Sequence, residues 1–178
     1  MFTENQQQTL VGVAREAVRA RVTGRQPEIP PSNDYPEATG AFVTLKKHGE
    51  LRGCIGTLEC RQSLVEEVAR VAVSAALEDP RFPPVTPSEL GDLDVEVSVL
   101  GPLEAIDPAD PSAIEIGRHG LVVEHGPRRG LLLPQVATEW SLDRERFLAQ
   151  TCIKAGLPPD AWRRGAKVYR FAAEVFGG

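Results

Sequence analysis

Two hydrophobic periods alternate along the chain, and between them they predict most of its elements. Leu10, Val13, Ala14, Ala17 and Val18 recur at the spacing of one helix face. Thr3 and Gln6 fit a capping box ahead of them and Gly24 supplies a stop, so residues 3–24 read as an amphipathic helix. Residues 25–40 hold four prolines and no period, and read as an extended surface connector. The body of the chain, 41–178, opens with two strand-like runs around His48-Gly49-Glu50, in which Val43 and Leu45 alternate with polar residues. That pattern predicts a hairpin.

Ser63 to about Leu77 forms a second helix, apolar on most sides (Leu64, Val65, Val68, Ala69, Ala72, Val73, Ala76) and therefore central, covered on more than one face. Pro80 stops it, and Thr86-Pro87 with Glu89 predicts a one-turn helix. Leu93, Val95, Val97 and Val99 alternate with Asp94, Glu96 and Ser98, which is a strand with one apolar face. A second hairpin is expected to turn at Gly126–Gly130. Residues 141–159 read as a helix capped by Ser141 and ended by Gly156, Pro158 and Pro159, and 166–176 as a closing strand. Strands paired by short turns, with helices between the pairs, define an α+β fold with mainly antiparallel sheet. No Walker-type loop and no G-x-G-x-x-G opening a helix is present, so nucleotide binding of those kinds is not supported.

Charge and composition narrow the function classes. With 178 residues the chain is long enough for one domain, or for two small subdomains sharing a core. A net charge of −5 gives no general attraction to nucleic-acid phosphates or anionic membranes. No apolar run approaches the length of a bilayer span and no signal-peptide pattern is seen, so a cytoplasmic protein is expected. Three scattered cysteines, Cys54, Cys60 and Cys152, read as reduced thiols.

The chemistry centres on Leu51-Arg52-Gly53-Cys54-Ile55-Gly56. On a regular strand Arg52 and Cys54 share a face about 6.6 Å apart. A guanidinium at that distance favours the thiolate, the form that attacks electrophiles. Gly53 and Gly56 would leave space beside the sulfur and permit a bulge. A small buried hydrophobe is the competing reading of the same cysteine. His119, at the entrance to a strand and beside a glycine, is the better placed of the three histidines to act as its base; His48 and His125 sit at turns. Glu96 and Ser98 line either a solvated face or a polar cleft. Arg81, on a proline-stiffened loop, is either a surface residue or an anchor for a carboxylate or phosphate. No metal site is expected: His119 and His125 lie about 20 Å apart on a continuous strand, and Cys54 and Cys60 have no companion pair. No motif specifies a cofactor.

In order and spacing, LRGCIGTLE, DPRFPPVTPSEL, DVEVSVL, IGRHGLVVEHG, GLLLPQVATEW and FLAQTCIKAGLP resemble the AMMECR domain, also known as component A of the AmmeMemoRadiSam system. The resemblance covers nearly the whole chain from about Ala41 and implies a compact α+β fold of two unequal subdomains, one AMMECR-type domain over 1–178, with a cleft near LRGCIG. It also implies pathway partners of the Memo-like and radical S-adenosylmethionine classes, and by analogy a link to RNA modification. It brings no particular reaction with it. The family's polar residues fall on Arg52, Cys54, Asp79, Arg81, Glu96, Ser98, His119 and Gln135.

Two functional expectations follow. In one, Cys54 is a nucleophile or covalent carrier, Arg52 stabilises its thiolate, His119 moves protons and Glu96 orients the imidazole or a substrate. Arg81, Ser98 and Gln135 then bind substrate, with Gln135 holding a developing anion. In the other, the chain is a non-catalytic adaptor that binds a small molecule, a partner protein or RNA. The only basic run for RNA is Arg15, Arg19, Arg21 and Arg25.

Overall fold

The order of elements follows the alternation of periods closely. The computed structural model describes residues 2–31 and 35–177, so the middle of the predicted connector, 32–34, lies outside the described residues. It divides into two compact units. One runs to Leu100 and takes in the chain again from Glu174; the other spans Gly101–Ala173. The chain therefore has the two unequal parts expected for it, each built on antiparallel strands.

In the first unit, helix α1 (Glu4–Val22) begins as predicted. Thr3 Oγ1 accepts from the Gln6 amide, Gln6 Oε1 accepts from the Thr3 amide, and Arg19 and Arg21 complement the dipole in the last turn. Strands β1 (Gly40–Lys47) and β2 (Glu50–Thr57) form the first hairpin. Its two turn residues, His48 (φ 52°) and Gly49 (φ 80°), are both left-handed, the geometry that matches strand twist in a two-residue turn. Helix α2 (Leu64–Leu77) is central as expected, packed against α1 on one side and against β1 and β2 on the other. Strand β3 (Leu93–Leu100) pairs with β1, giving the order β2-β1-β3 with β2 outermost. Val43, Leu45, Val95, Val97 and Val99 join α1 and α2 in one buried cluster. Each such side chain contributes about 1.5–3 kcal/mol by leaving water.

In the second unit, β4 (Glu104–Ala105) pairs with β7 (Lys167–Gly177), β7 with β5 (His119–His125), and β5 with β6 (Arg128–Leu132). The turn between β5 and β6 is tighter than predicted. It uses only Gly126 and Pro127, because Arg128 already pairs with His125. A short helix that the pattern did not reveal, α3 (Pro134–Glu139), precedes α4 (Arg144–Lys154). The predicted cap of that helix moves from Ser141 to Asp143, whose carboxylate accepts from the Arg146 amide at 2.8 Å. Ser141 has φ 52° and belongs to the turn that leaves α3, so it lacks the extended backbone a cap needs. Phe147, Leu148 and Cys152 of α4 are fully buried against Leu121, Val123 and Val168. The end of β7 returns to the first unit, where Gly177 lies against Val95 and Glu96 of β3.

Candidate functional site

The first hairpin does not keep a regular register, and its irregularity shapes the site. Lys46 pairs with Leu51 but Leu45 pairs with Gly53, so Arg52 is the extra residue of a β-bulge. From the turn outward, a regular hairpin would set Thr44 opposite Gly53. The bulge sets it opposite Cys54, and the Thr44 hydroxyl lies 3.2 Å from the sulfur. Thr44 in turn pairs with Glu96 on β3, so Cys54, Thr44 and Glu96 form a row across three strands on the face away from the Val43/Leu45 core. Lys46, on the same face, lies 3.6 Å from Glu96.

The bulge also separates Arg52 from Cys54, where a regular strand had put them on one face. Arg52 Nε and Nη2 donate to both oxygens of Glu89 at 2.9 and 3.1 Å, and Lys47, a residue of the core side of β1, donates to the same carboxylate at 3.2 Å. The Arg52 side chain is only 11% exposed, and its Nη1 is buried with no hydrogen-bond partner among the described residues. The Arg52 guanidinium holds the Glu89 carboxyl well below the usual carboxylate range, with the Thr86 amide and Lys47 adding to its effect. Glu89 also closes the capping box at Thr86 that the sequence predicted. It is a structural residue with two tasks, and only the cap was visible in the pattern.

The cation beside Cys54 is Arg81. Asp79 Oδ2 accepts from the Cys54 amide at 2.9 Å, and Arg81 Nη2 donates to the Cys54 carbonyl at 3.3 Å. Arg81 Nε and Nη2 bind the two Asp79 oxygens at 3.0 and 2.7 Å, and the Arg81 amide adds a further bond to Asp79 at 3.0 Å. The Asp79 side chain is 2% exposed, whereas that of Arg81 is 55% exposed. Arg81 holds the Asp79 carboxyl far below its ordinary value against the opposing effect of burial, and the Cys54 and Arg81 amides help. Asp79 in turn raises Arg81, and Cys54 adds to that rise. Both outward-facing polar groups of Cys54 on this outermost strand are thus taken by side chains from the segment after α2.

The two glycines have a different use from the one expected. A methyl on Gly53 would overlap the Ala75 carbonyl oxygen of α2, and one on Gly56 would overlap the ring of Phe42, its cross-strand partner. They admit a helix and an aromatic ring rather than leaving space beside the sulfur. Cys54 is half-buried, while Cys152 is fully buried. Burial pushes the thiols of Cys60 and Cys152 up, with Glu67 adding to the effect at Cys60.

Of the other predicted residues, Ser98 is buried on β3 opposite Phe42. His119 and Gln135 belong to the second unit, on β5 and α3. His119 Nδ1 accepts from the Glu115 amide at 3.0 Å, which leaves the ring proton on Nε2. Burial lowers its pKa first, and Arg170 and Arg118 lower it further. His119 therefore offers its Nε2–H as a donor, and its surroundings favour the neutral ring. In the basic run, Arg19 and Arg25 both lie within ion-pair distance of Glu16. Among the described residues no three His, Cys, Asp or Glu side chains converge on a metal-binding arrangement, and no helix is long and apolar enough to cross a membrane.

The bulge at Arg52 and the thiol of Cys54 thus lie on the outermost strand β2, with the Asp79–Arg81 pair following α2. The chain belongs to the AMMECR1 family, which it matches over residues 11–176. It is 51% identical to a protein of Methanothermobacter thermautotrophicus, over 98% of this chain and 95% of the relative. It is likewise 51% identical to a protein of Thermococcus gammatolerans, over 94% of this chain and 87% of that one. The crystal structure of an uncharacterised protein from Pyrococcus horikoshii is similar to it, with a TM-score of 0.84 and 46% identity, covering 99% of this chain and 93% of that one.

Proposed function

We propose that this AMMECR1-family protein is an enzyme or enzyme component in which Cys54 is a nucleophile or covalent carrier. The observation that carries the reading is the treatment of one residue: a half-buried cysteine with its sulfur 3.2 Å from a hydroxyl, its own amide and carbonyl each held by a charged side chain. A cysteine serving only as a filler needs none of this. Thr44 donates to the sulfur as it becomes anionic, Asp79 and Arg81 fix the backbone that aims it, and Glu96 lies one strand beyond Thr44 to orient a substrate. Ser98 lies on the same face of β3 as Glu96, whereas His119 and Gln135 belong to the second unit and are given no part in the Cys54 site. The family resemblance supports a cytoplasmic setting and pathway partners of the Memo-like and radical S-adenosylmethionine classes.

Timed alkylation with iodoacetamide at pH 7, read by peptide mass spectrometry, tests the assignment. Cys54 is expected to react faster than a free model thiol and much faster than Cys152. A rate at or below that of the model thiol returns Cys54 to a packing role and favours the adaptor reading. For the RNA form of that reading, the pairing of Arg19 and Arg25 with Glu16 leaves a weaker basic run than the sequence promised.

A further inference from the structure

We infer that Arg81, tethered by Asp79, makes the Cys54 site selective for electrophiles that carry an anionic group. The inference rests on the reactive role proposed for Cys54 and names the substrate class that such a thiol would take.

The cations on the strands of the first hairpin each have a carboxylate partner. Lys46 lies against Glu96, and Arg52 and Lys47 share Glu89. Arg81 also has a carboxylate, but the pair is asymmetric, with Asp79 buried beneath it and the guanidinium more than half exposed. Asp79 and the Cys54 carbonyl use Nε and Nη2 of Arg81, and its Nη1 makes no hydrogen bond among the described residues. Two N–H donors are therefore unpaired on a fixed, more than half-exposed guanidinium, which lies 5.5 Å from the centroid of the Phe82 ring and whose Nη2 is 3.3 Å from the Cys54 carbonyl oxygen. Asp79 contributes by immobilising this cation, which a long solvated arginine would not otherwise be. A carboxylate or phosphate bound at Nη1 holds its own electrophilic carbon within reach of Sγ, and entropy already spent on orientation lowers the barrier to attack. The same geometry accounts for a bidentate carboxylate beneath an exposed arginine, which stability alone does not require.

Iodoacetate and iodoacetamide test this directly. In both, the sulfur forms a bond to the methylene carbon, iodide leaves with the bonding pair, and the thiol proton goes to solvent; only iodoacetate is an anion. The ratio of their rates at Cys54 in the folded protein is compared with the ratio at the same residue in the urea-unfolded chain. The folded protein is expected to favour iodoacetate by about tenfold relative to the unfolded chain. Arg81→Gln should abolish the preference and Arg52→Gln should retain it. In the unaltered protein, raised salt should suppress the preference and inorganic phosphate or acetate should slow labelling; whichever protects at lower concentration identifies the preferred anion. These two measurements stand if Arg81→Gln does not fold.

Fast labelling by iodoacetamide with no preference for iodoacetate overturns this inference and leaves the reactive thiol intact. A preference lost in Arg52→Gln rather than Arg81→Gln moves the anion site to the other guanidinium and overturns it as well. Failure of Cys54 to outpace a model thiol with either reagent removes both readings together.

Discussion

The two units of this protein use the same two packing devices around their hairpins, and the hairpins differ in register and in the side chains at the outer strand. Each has an outer strand with a glycine pressed against a helix end: Gly53 on Ala75 of α2 in the first, Gly130 on Ala155 just after α4 in the second. Each unit also sets a glycine beneath a cross-strand aromatic ring, Gly56 under Phe42 and Gly120 under Phe171. The second hairpin has a regular register throughout, and its inward positions are aliphatic. The first has the bulge at Arg52, the Thr44–Cys54 contact and two separate arginine–carboxylate pairs. The second hairpin has an arginine–carboxylate pair too, Arg129 with Glu124 at 3.8 Å, but its side chains are 42% and 36% exposed. The shared glycines are therefore architecture, and the buried carboxylate of Asp79 at Cys54 is the feature to associate with function.

The largest effects should come from the shared devices. Gly53→Ala and Gly130→Ala each force a methyl into helix backbone, and each is expected to cost about 3 kcal/mol in urea denaturation. A mild effect of Gly53→Ala alone would break the parallel between the hairpins. Next are the two carboxylates that only the first hairpin uses. Glu89→Gln strands the buried Arg52 guanidinium, and Asp79→Asn weakens the hold on Arg81; each should cost about 2 kcal/mol. They should separate by amide hydrogen exchange, since only Asp79→Asn is expected to speed exchange at Cys54.

Smaller effects come from pH. Folded Asp79 and Glu89 have depressed pKa values, so the stability they add is complete above the unfolded values near pH 4 and is lost as pH falls through the folded ones. His119 is also depressed, but from a starting value of 6.5. Its contribution is complete above about pH 6.5 and declines as pH falls toward its folded value. Exchange followed from pH 7 to pH 3 should show the second unit loosening first, and His119→Gln should remove that early phase. The smallest expected effect is a gain: Gly12 lies within α1 with open space where a methyl would go, so Gly12→Ala should add about 1 kcal/mol.

Much of this was legible in the sequence, because periodicity is a local property. The capped helices α1 and α2, the hairpin at His48-Gly49, the alternation of β3 and the capping box at Thr86 all rest on residues within a few positions of one another. The site was legible as residue types but not as pairings. Counting back from the turn puts Thr44 against Gly53, and only the bulge, which no residue pattern announces, brings it to Cys54. Glu89 is 37 positions from Arg52, so its capture of that guanidinium depends on where β2 and the Thr86 turn meet in the fold. Asp79 and Arg81 stood among the resemblance's polar residues, yet their grip on the Cys54 backbone depends on how the chain leaves α2. Ser141 misled because it precedes Asp143 by two positions and both are good caps; the turn leaving α3 decided between them.

The Asp79–Arg81 brace has a further consequence for the solubility of the chain. An outermost strand is a template on which another polypeptide can extend the sheet, and uncontrolled templating ends in fibrils or precipitate. At Cys54 the amide and carbonyl that a newcomer would need are already occupied by a carboxylate and a guanidinium belonging to the same chain. The residues that hold the thiol in place thereby also keep neighbouring molecules from zipping onto it.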